Sequence, residues 1–206
     1  MTEGGDHLDE ETLSILESSV NALSVRVLVR AAGLDSDGLG TWGTQSMLEL
    51  PATGADPLLE AEGLPQGSLW ESGAILQYLC NKHRLDRFYP TDPAERAMVD
   101  SAMFYLVGTV YPLLAQAAHT HTAVSLEGPL DVYHVFFLRG RRLIGGDEPT
   151  IADIRFAATL EFLRAIDYRL PGWAEEYTAA MEQALGEAYS EPVAHVRTYV
   201  ESLRAA

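Results

Sequence analysis

Glu71 and Ser72 carry the most suggestive chemistry in the chain. They stand where the short run Ser68–Trp70 gives way to a helical pattern reaching about Asn81, with Ile75, Leu76 and Leu79 as its apolar stripe. At such a junction the free backbone N–H groups and the helix dipole attract a carboxylate. The Ser72 hydroxyl adds a donor, and Glu71 can accept from an ammonium. The pair therefore suits an α-amino acid headgroup, which carries both charges. The same residues also make an ordinary helix cap, and spacing alone favours that reading. Other reactive residue types point elsewhere. Cys80, late on that helix, reads as buried packing. His119 and His121 form an H-x-H pair with no further ligands in sight, so a loop is expected and no metal. Arg96 and Asp100, four apart, read as a structural pair.

These residues sit in a strongly acidic chain of 206 residues, with 30 acidic against 14 basic side chains and a net charge of −16. Such a field repels phosphate backbones and argues against a nucleic-acid partner. One cysteine permits no intrachain disulfide, which fits a cytoplasmic setting. Met1–Glu11 is polar and acidic, without the apolar core of a signal peptide, and reads as a loose tail. Ser101–Leu126 carries no formal charge and is long enough to span a bilayer. Its flanks resemble soluble helix termini, so the expectation is a helix buried in a bundle, and no membrane.

The elements that must position Glu71 and Ser72 follow from the pattern. Thr12–Glu17 alternates as a strand. Ala22–Ala32 has helical spacing, with Asn21 as its N-cap and Gly33 as its stop. Leu34–Ser46 supports no element. Pro51–Pro57 is a loop, and Leu58–Glu60 and Ser68–Trp70 form a hairpin around a turn at Gly63–Gly67. Beyond the linker Phe88–Pro93 the chain is helical. Ala94–Ala118 forms one long helix bent at Pro112, and Tyr133–Arg142 another. A helix with the capping-box spacing Thr150–Asp153 follows, and Trp173–Leu185 and Pro192–Leu203 complete a bundle. The order implies a small mixed α/β domain joined to a helical one.

Three stretches add a resemblance. L-W-E-S-G-A-I-L-Q-Y-L (Leu69–Leu79), F-Y-P-T-D-P-A-E-R-A (Phe88–Ala97) and G-D-E-P-T-I-A-D-I (Gly146–Ile154) resemble, in order, motifs of the glutathione S-transferases. The resemblance spans roughly residues 12–200. It implies a thioredoxin-like domain over residues 12–87, an all-helical domain over 88–206, and a tail over 1–11. It implies that Glu71 and Ser72 hold the γ-glutamyl end of glutathione or a related low-molecular-weight thiol. Pro57 falls at the family's cis-proline, whose preceding residue, Asp56, pairs through its backbone with the cysteinyl unit. The thiol activator falls near Asn21, with Ser18 and Ser19 as alternatives. Met103, Phe104, Val107 and Tyr111 would line a cleft for a small apolar electrophile, and the chain would pair as a homodimer through the long helix and the helix starting at Ser72.

Departures from the family pattern are visible too. An acidic residue stands before Pro57, where a carboxylate would repel a thiolate. The Gly33–Pro51 segment is short. Leu34–Gln66 contains no Lys or Arg to hold the glycine carboxylate, leaving Trp42 and Gln45 as possible contacts. The resemblance therefore implies a thiol transferase. A lyase or isomerase on the same fold, or a non-catalytic binding protein, are the alternatives.

Overall fold

The computed structural model describes residues 11–16, 19–35, 40–44, 56–120, 125–165 and 168–205. The chain divides into two compact units, residues 1–78 with 188–206, and residues 79–187.

The first unit is built on a four-stranded sheet of order β2-β1-β3-β4. Strand β1 (Glu11–Ile15) is interior and paired at both edges, and because Ser14 is buried along with Leu13 and Ile15, both its faces are covered. Helix α1 (Val20–Ala31) starts earlier than its apolar spacing indicates. Ser19, not Asn21, is the N-cap: its backbone is extended and its hydroxyl accepts from the Ala22 amide. Asn21 consequently lies inside the first turn. At the other end, Gly33 takes φ +70°. Its N–H reaches the Arg30 carbonyl while the Leu34 N–H reaches that of Val29, closing the helix in a Schellman motif.

Strand β2 (Gly40–Thr44) falls where the sequence supports no element. G-T-W-G-T has no apolar alternation. It is a strand because it pairs in parallel with β1, Thr12 opposite Gly40 and Ile15 opposite Thr44, with an irregularity between. Strand β3 (Leu58–Ala61) runs antiparallel to β1, and β4 (Ser68–Leu69) antiparallel to β3. Helix α2 (Ser72–Lys82) follows. The C-terminal helix α8 (Glu187–Ala205) groups with this unit and is fastened to α1. Arg26, buried in α1, donates to His195 Nδ1 at 2.8 Å, and Arg30 pairs with Glu191. A guanidinium can only donate, so this His195 nitrogen carries no proton.

In the second unit, Asp92 caps α3 (Pro93–Tyr105) by accepting from the Ala94 and Glu95 amides, with Pro93 at the first helical position. The helix passes through a π-helical segment, Leu106–Val110, into α4 (Tyr111–Thr120). The wide turn accompanies Pro112, which has no N–H for a regular bond back to Gly108. Pro93–Leu114 is long and apolar enough to cross a membrane, and it is the one such helix found among the described residues. In the unit it packs against α6 (Ile151–Ala165).

Helix α5 (Glu127–Val132) likewise runs into a π segment, Tyr133–Leu138. That helix ends sooner than its sequence spacing indicates, because Arg139 and Gly140 both adopt positive φ. Tyr133 stacks on Phe156 at 3.6 Å, and Tyr177 of α7 (Gly172–Leu185) meets Phe156 edge-on.

Asp153 organises this core. Fully buried, it accepts from the Ile144 amide at 2.7 Å, the Thr150 amide and hydroxyl at 2.8 Å, and the Tyr177 hydroxyl at 2.7 Å. The Asp153 amide returns a bond to the Thr150 hydroxyl, completing the capping box. Gly145 is required beside it, because a Cβ there would lie 2.2 Å from the Glu148 carbonyl oxygen. Burial raises the Asp153 pKa despite the donors around it.

Candidate functional site

Sheet polarity decides which distant residues meet. Because β4 runs antiparallel to β3, and β3 to β1, the C-terminal ends of β1 and β4 lie at the same edge as the start of β3. Three stretches therefore converge there: Leu16 at the end of β1 with Ser19 at the start of α1, Asp56–Pro57 entering β3, and Glu71–Ser72 leaving β4.

The Asp56–Pro57 peptide bond is cis. The Asp56 carboxylate has a job the sequence does not reveal: its Oδ1 accepts the Leu16 N–H at 2.7 Å, 40 residues away, tying the end of β1 to the start of β3. On the α1 side, the Ser19 amide donates to the Leu16 carbonyl and the Ser19 hydroxyl accepts from Ala22. That hydroxyl keeps its own proton to donate. Asn21 is exposed on α1, and Ser18 lies outside the described residues.

At the α2 start, Ser72 is buried while Glu71 is exposed. Glu71 stands at φ 68°, in the left-handed region, and its carbonyl accepts from Ile75. This backbone geometry carries Glu71 out of the helix it precedes. No side chain among the described residues takes up the first N–H groups of α2. Trp70, just before, is half-exposed at the same sheet edge. Its place as the last residue before Glu71 was the available signal for it. Gln45 lies outside the described residues, and Trp42 sits in β2.

The four apolar candidates on the long helix differ in surroundings. Met103 is buried, whereas Phe104 and Val107 are exposed at 73% and 51%. Tyr111 is half-buried, with the Arg155 guanidinium 4.6 Å from its ring centre. Cys80 is buried, and burial pushes its thiol pKa up to about 12, against a smaller opposing effect of Arg96. Among the described residues, no three His, Cys, Asp or Glu side chains gather as metal ligands. Arg96 and Asp100 both grip the linker: Arg96 lies over the Tyr89 ring and donates to the Pro90 carbonyl, and Asp100 accepts from the Tyr89 hydroxyl.

Comparison with solved structures gives this arrangement a context. The chain overlays a delta-class glutathione transferase of Nilaparvata lugens with a TM-score of 0.70, covering 94% of this chain and 99% of that one at 22% identity. The chain has the glutathione S-transferase fold. Human glutathione transferase theta-2 shares that fold at a TM-score of 0.75, with 20% identity over 95% of this chain and 90% of that one. An unclassified glutathione S-transferase of Bombyx mori matches at 0.71, with 21% identity over 95% and 98%. Residues 137–182 match the family described as glutathione S-transferase, C-terminal domain. That stretch holds all of α6, with Asp153, and most of α7. In glutathione S-transferase terms the first unit supplies the thioredoxin-like sheet, and the second consists of the helical elements.

Proposed function

We propose that this chain is a glutathione S-transferase-like enzyme that binds glutathione, or another low-molecular-weight thiol, and transfers it to a small apolar electrophile. The observation that carries this reading is the convergence of Asp56–Pro57, Glu71–Ser72 and the α1 start at one sheet edge. The structure of human theta-2 was solved with glutathione. Here the α2 N-terminus and the Ser72 hydroxyl would hold the α-carboxylate and Glu71 the ammonium. The Asp56 main chain would pair with the cysteinyl unit, its carboxylate being occupied by Leu16. Ser19, accepting from Ala22 and able to donate, is the best-placed group to stabilise a thiolate. The test is calorimetric titration with glutathione, followed by an aryl-halide conjugation assay. Heat without conjugation points to a lyase, isomerase or binding protein, and no heat at all removes the thiol reading.

The same reading makes the chain a cytoplasmic homodimer. In the helical unit, Phe104, Val107, Val135 and Phe136 are all more than half exposed. The helices bearing them are joined by the Tyr105–Phe137 ring contact and the Tyr105 hydroxyl on the Pro129 carbonyl. Contiguous exposed apolar side chains mark association surfaces. Light scattering should give twice the monomer mass of 22.5 kDa, and Phe104→Glu should reduce it to one.

A further inference from the structure

The helical unit contains a cleft that the proposed thiol chemistry does not use. It lies between the end of the Tyr133–Leu138 segment and α7, with a volume of about 260 Å³. One wall is aromatic: the His134 and Trp173 rings stack 4.6 Å apart and within 2° of parallel. Leu138, Tyr177 and Ala180 add apolar surface. The Trp173 indole N–H is buried and meets no acceptor among the described residues. A buried donor without a partner is costly to leave so, and a ligand acceptor would relieve it.

The mouth is cationic. Arg141 and Arg142 line it, within the run Arg139-Gly140-Arg141-Arg142. In a chain with a net charge of −16, three arginines in four positions form a local cationic cluster. Arg141 donates to the Phe137 and Leu138 carbonyls, and Arg142 reaches Gln183 at 2.5 Å. A guanidinium has five N–H donors, more than these contacts use. Glu176 also lines the cleft, so a ligand with several negative charges is disfavoured. The volume falls below the roughly 300 Å³ at which sites for drug-sized molecules begin. One charge, one flat apolar body and a small size define the ligand.

We propose that this cleft binds a small aromatic monocarboxylate, its ring along the His134–Trp173 wall and its carboxylate served by Arg141, Arg142 and the Trp173 N–H. All its lining residues belong to residues 79–187, so the site is independent of Ser72. The probe is 2-naphthoate, titrated calorimetrically into the full chain, with the neutral 2-naphthamide as control. Naphthoate should bind with a dissociation constant below about 1 mM, and the amide about tenfold more weakly or worse. Arg142→Gln removes a side chain bonded to Gln183 at an exposed position, and circular dichroism should show the fold intact. It should weaken naphthoate about tenfold while leaving naphthamide unchanged. Trp173→Phe keeps a ring and removes the N–H, and should weaken naphthoate several-fold. Ser72→Ala should leave naphthoate binding as it is. The proposal is overturned if naphthoate gives no heat at about 1 mM, if the amide binds as well, or if Arg142→Gln binds naphthoate like the parent.

Discussion

Helices α6 and α2 start from similar materials, an acidic residue and a hydroxyl within one turn, and reach opposite states. At α6 the acid, Asp153, lies inside the helix and turns back on Thr150, Ile144 and Tyr177, so its oxygens are taken up by the chain's own donors. At α2 the acid, Glu71, precedes the helix in the left-handed region and stands exposed, while Ser72 is buried at the first position. One start is locked by the chain itself, and the other is the one proposed above to receive a carboxylate. The two starts differ in whether the acidic residue precedes or follows the hydroxyl, and on the proposed function that order separates a structural cap from a binding site.

The comparison breaks most visibly at Asp153. Asp153→Ala strands several buried donors, each costing about 1–3 kcal/mol. The expected loss exceeds about 3 kcal/mol, or roughly 6–12 °C in melting temperature at this chain length. A shift of only a degree or two would show that the network is dispensable. Burial raises the Asp153 pKa, so the folded state holds that proton more tightly than the unfolded one. Its contribution to stability is therefore greatest in acid and declines as pH rises above the ordinary carboxyl range near 4. Stability plotted against pH for the parent minus the variant should fall over that window.

At the open start the effect should fall on binding, not folding. Ser72→Ala should weaken glutathione about ten- to a hundredfold, the worth of about 1.5–3 kcal/mol for a bond to a charged group. Its melting temperature should stay close to the parent's. A large stability loss with unchanged affinity would make α2 a capped helix like α6.

A finer contrast separates Ser19 from Asn21. Ser19→Ala should cost about 1 kcal/mol as a lost cap, and should also raise the apparent pKa of the bound thiol in the pH–rate profile. Asn21→Ala should change neither measurably. The reverse outcome would move thiol activation to the Asn21 amide.

The smallest effect belongs to Cys80. With its thiol pKa near 12, iodoacetamide at pH 8 should label the folded chain negligibly and the unfolded chain readily. Any contribution of this thiol to stability is lost as pH rises from its ordinary value toward 12, since the folded state holds the proton more tightly. Cys80→Ser should leave conjugation unaltered.

Much of the frame could be read from the sequence because it rests on local signals. Gly33 ends α1 through a positive φ, and Thr150 and Asp153 are spaced for their reciprocal bonds. What the sequence hid depends on partners far along the chain. β2 exists through pairing with β1 and carries no alternation of its own. The role of the Asp56 side chain becomes visible only when Leu16, 40 residues earlier, is brought beside it. Asn21 and Ser19 are both good caps by type, and only the extended backbone at Ser19 chooses between them. The Trp173 cleft escaped for a similar reason, since His134 and Trp173 are 39 residues apart and meet only in the packed unit.

The fastening of α8 to α1 through Arg26 and His195 bears on how the chain is made. Residues 79–187 interrupt the first unit, whose last piece is residues 188–206. Translation delivers the helical unit whole while the first unit still lacks α8, the helix fastened to α1. Domains generally fold as units in the order they emerge. The helical unit, residues 79–187, is then the first to be complete, and the unit that carries Ser72 gains its last piece only when α8 emerges.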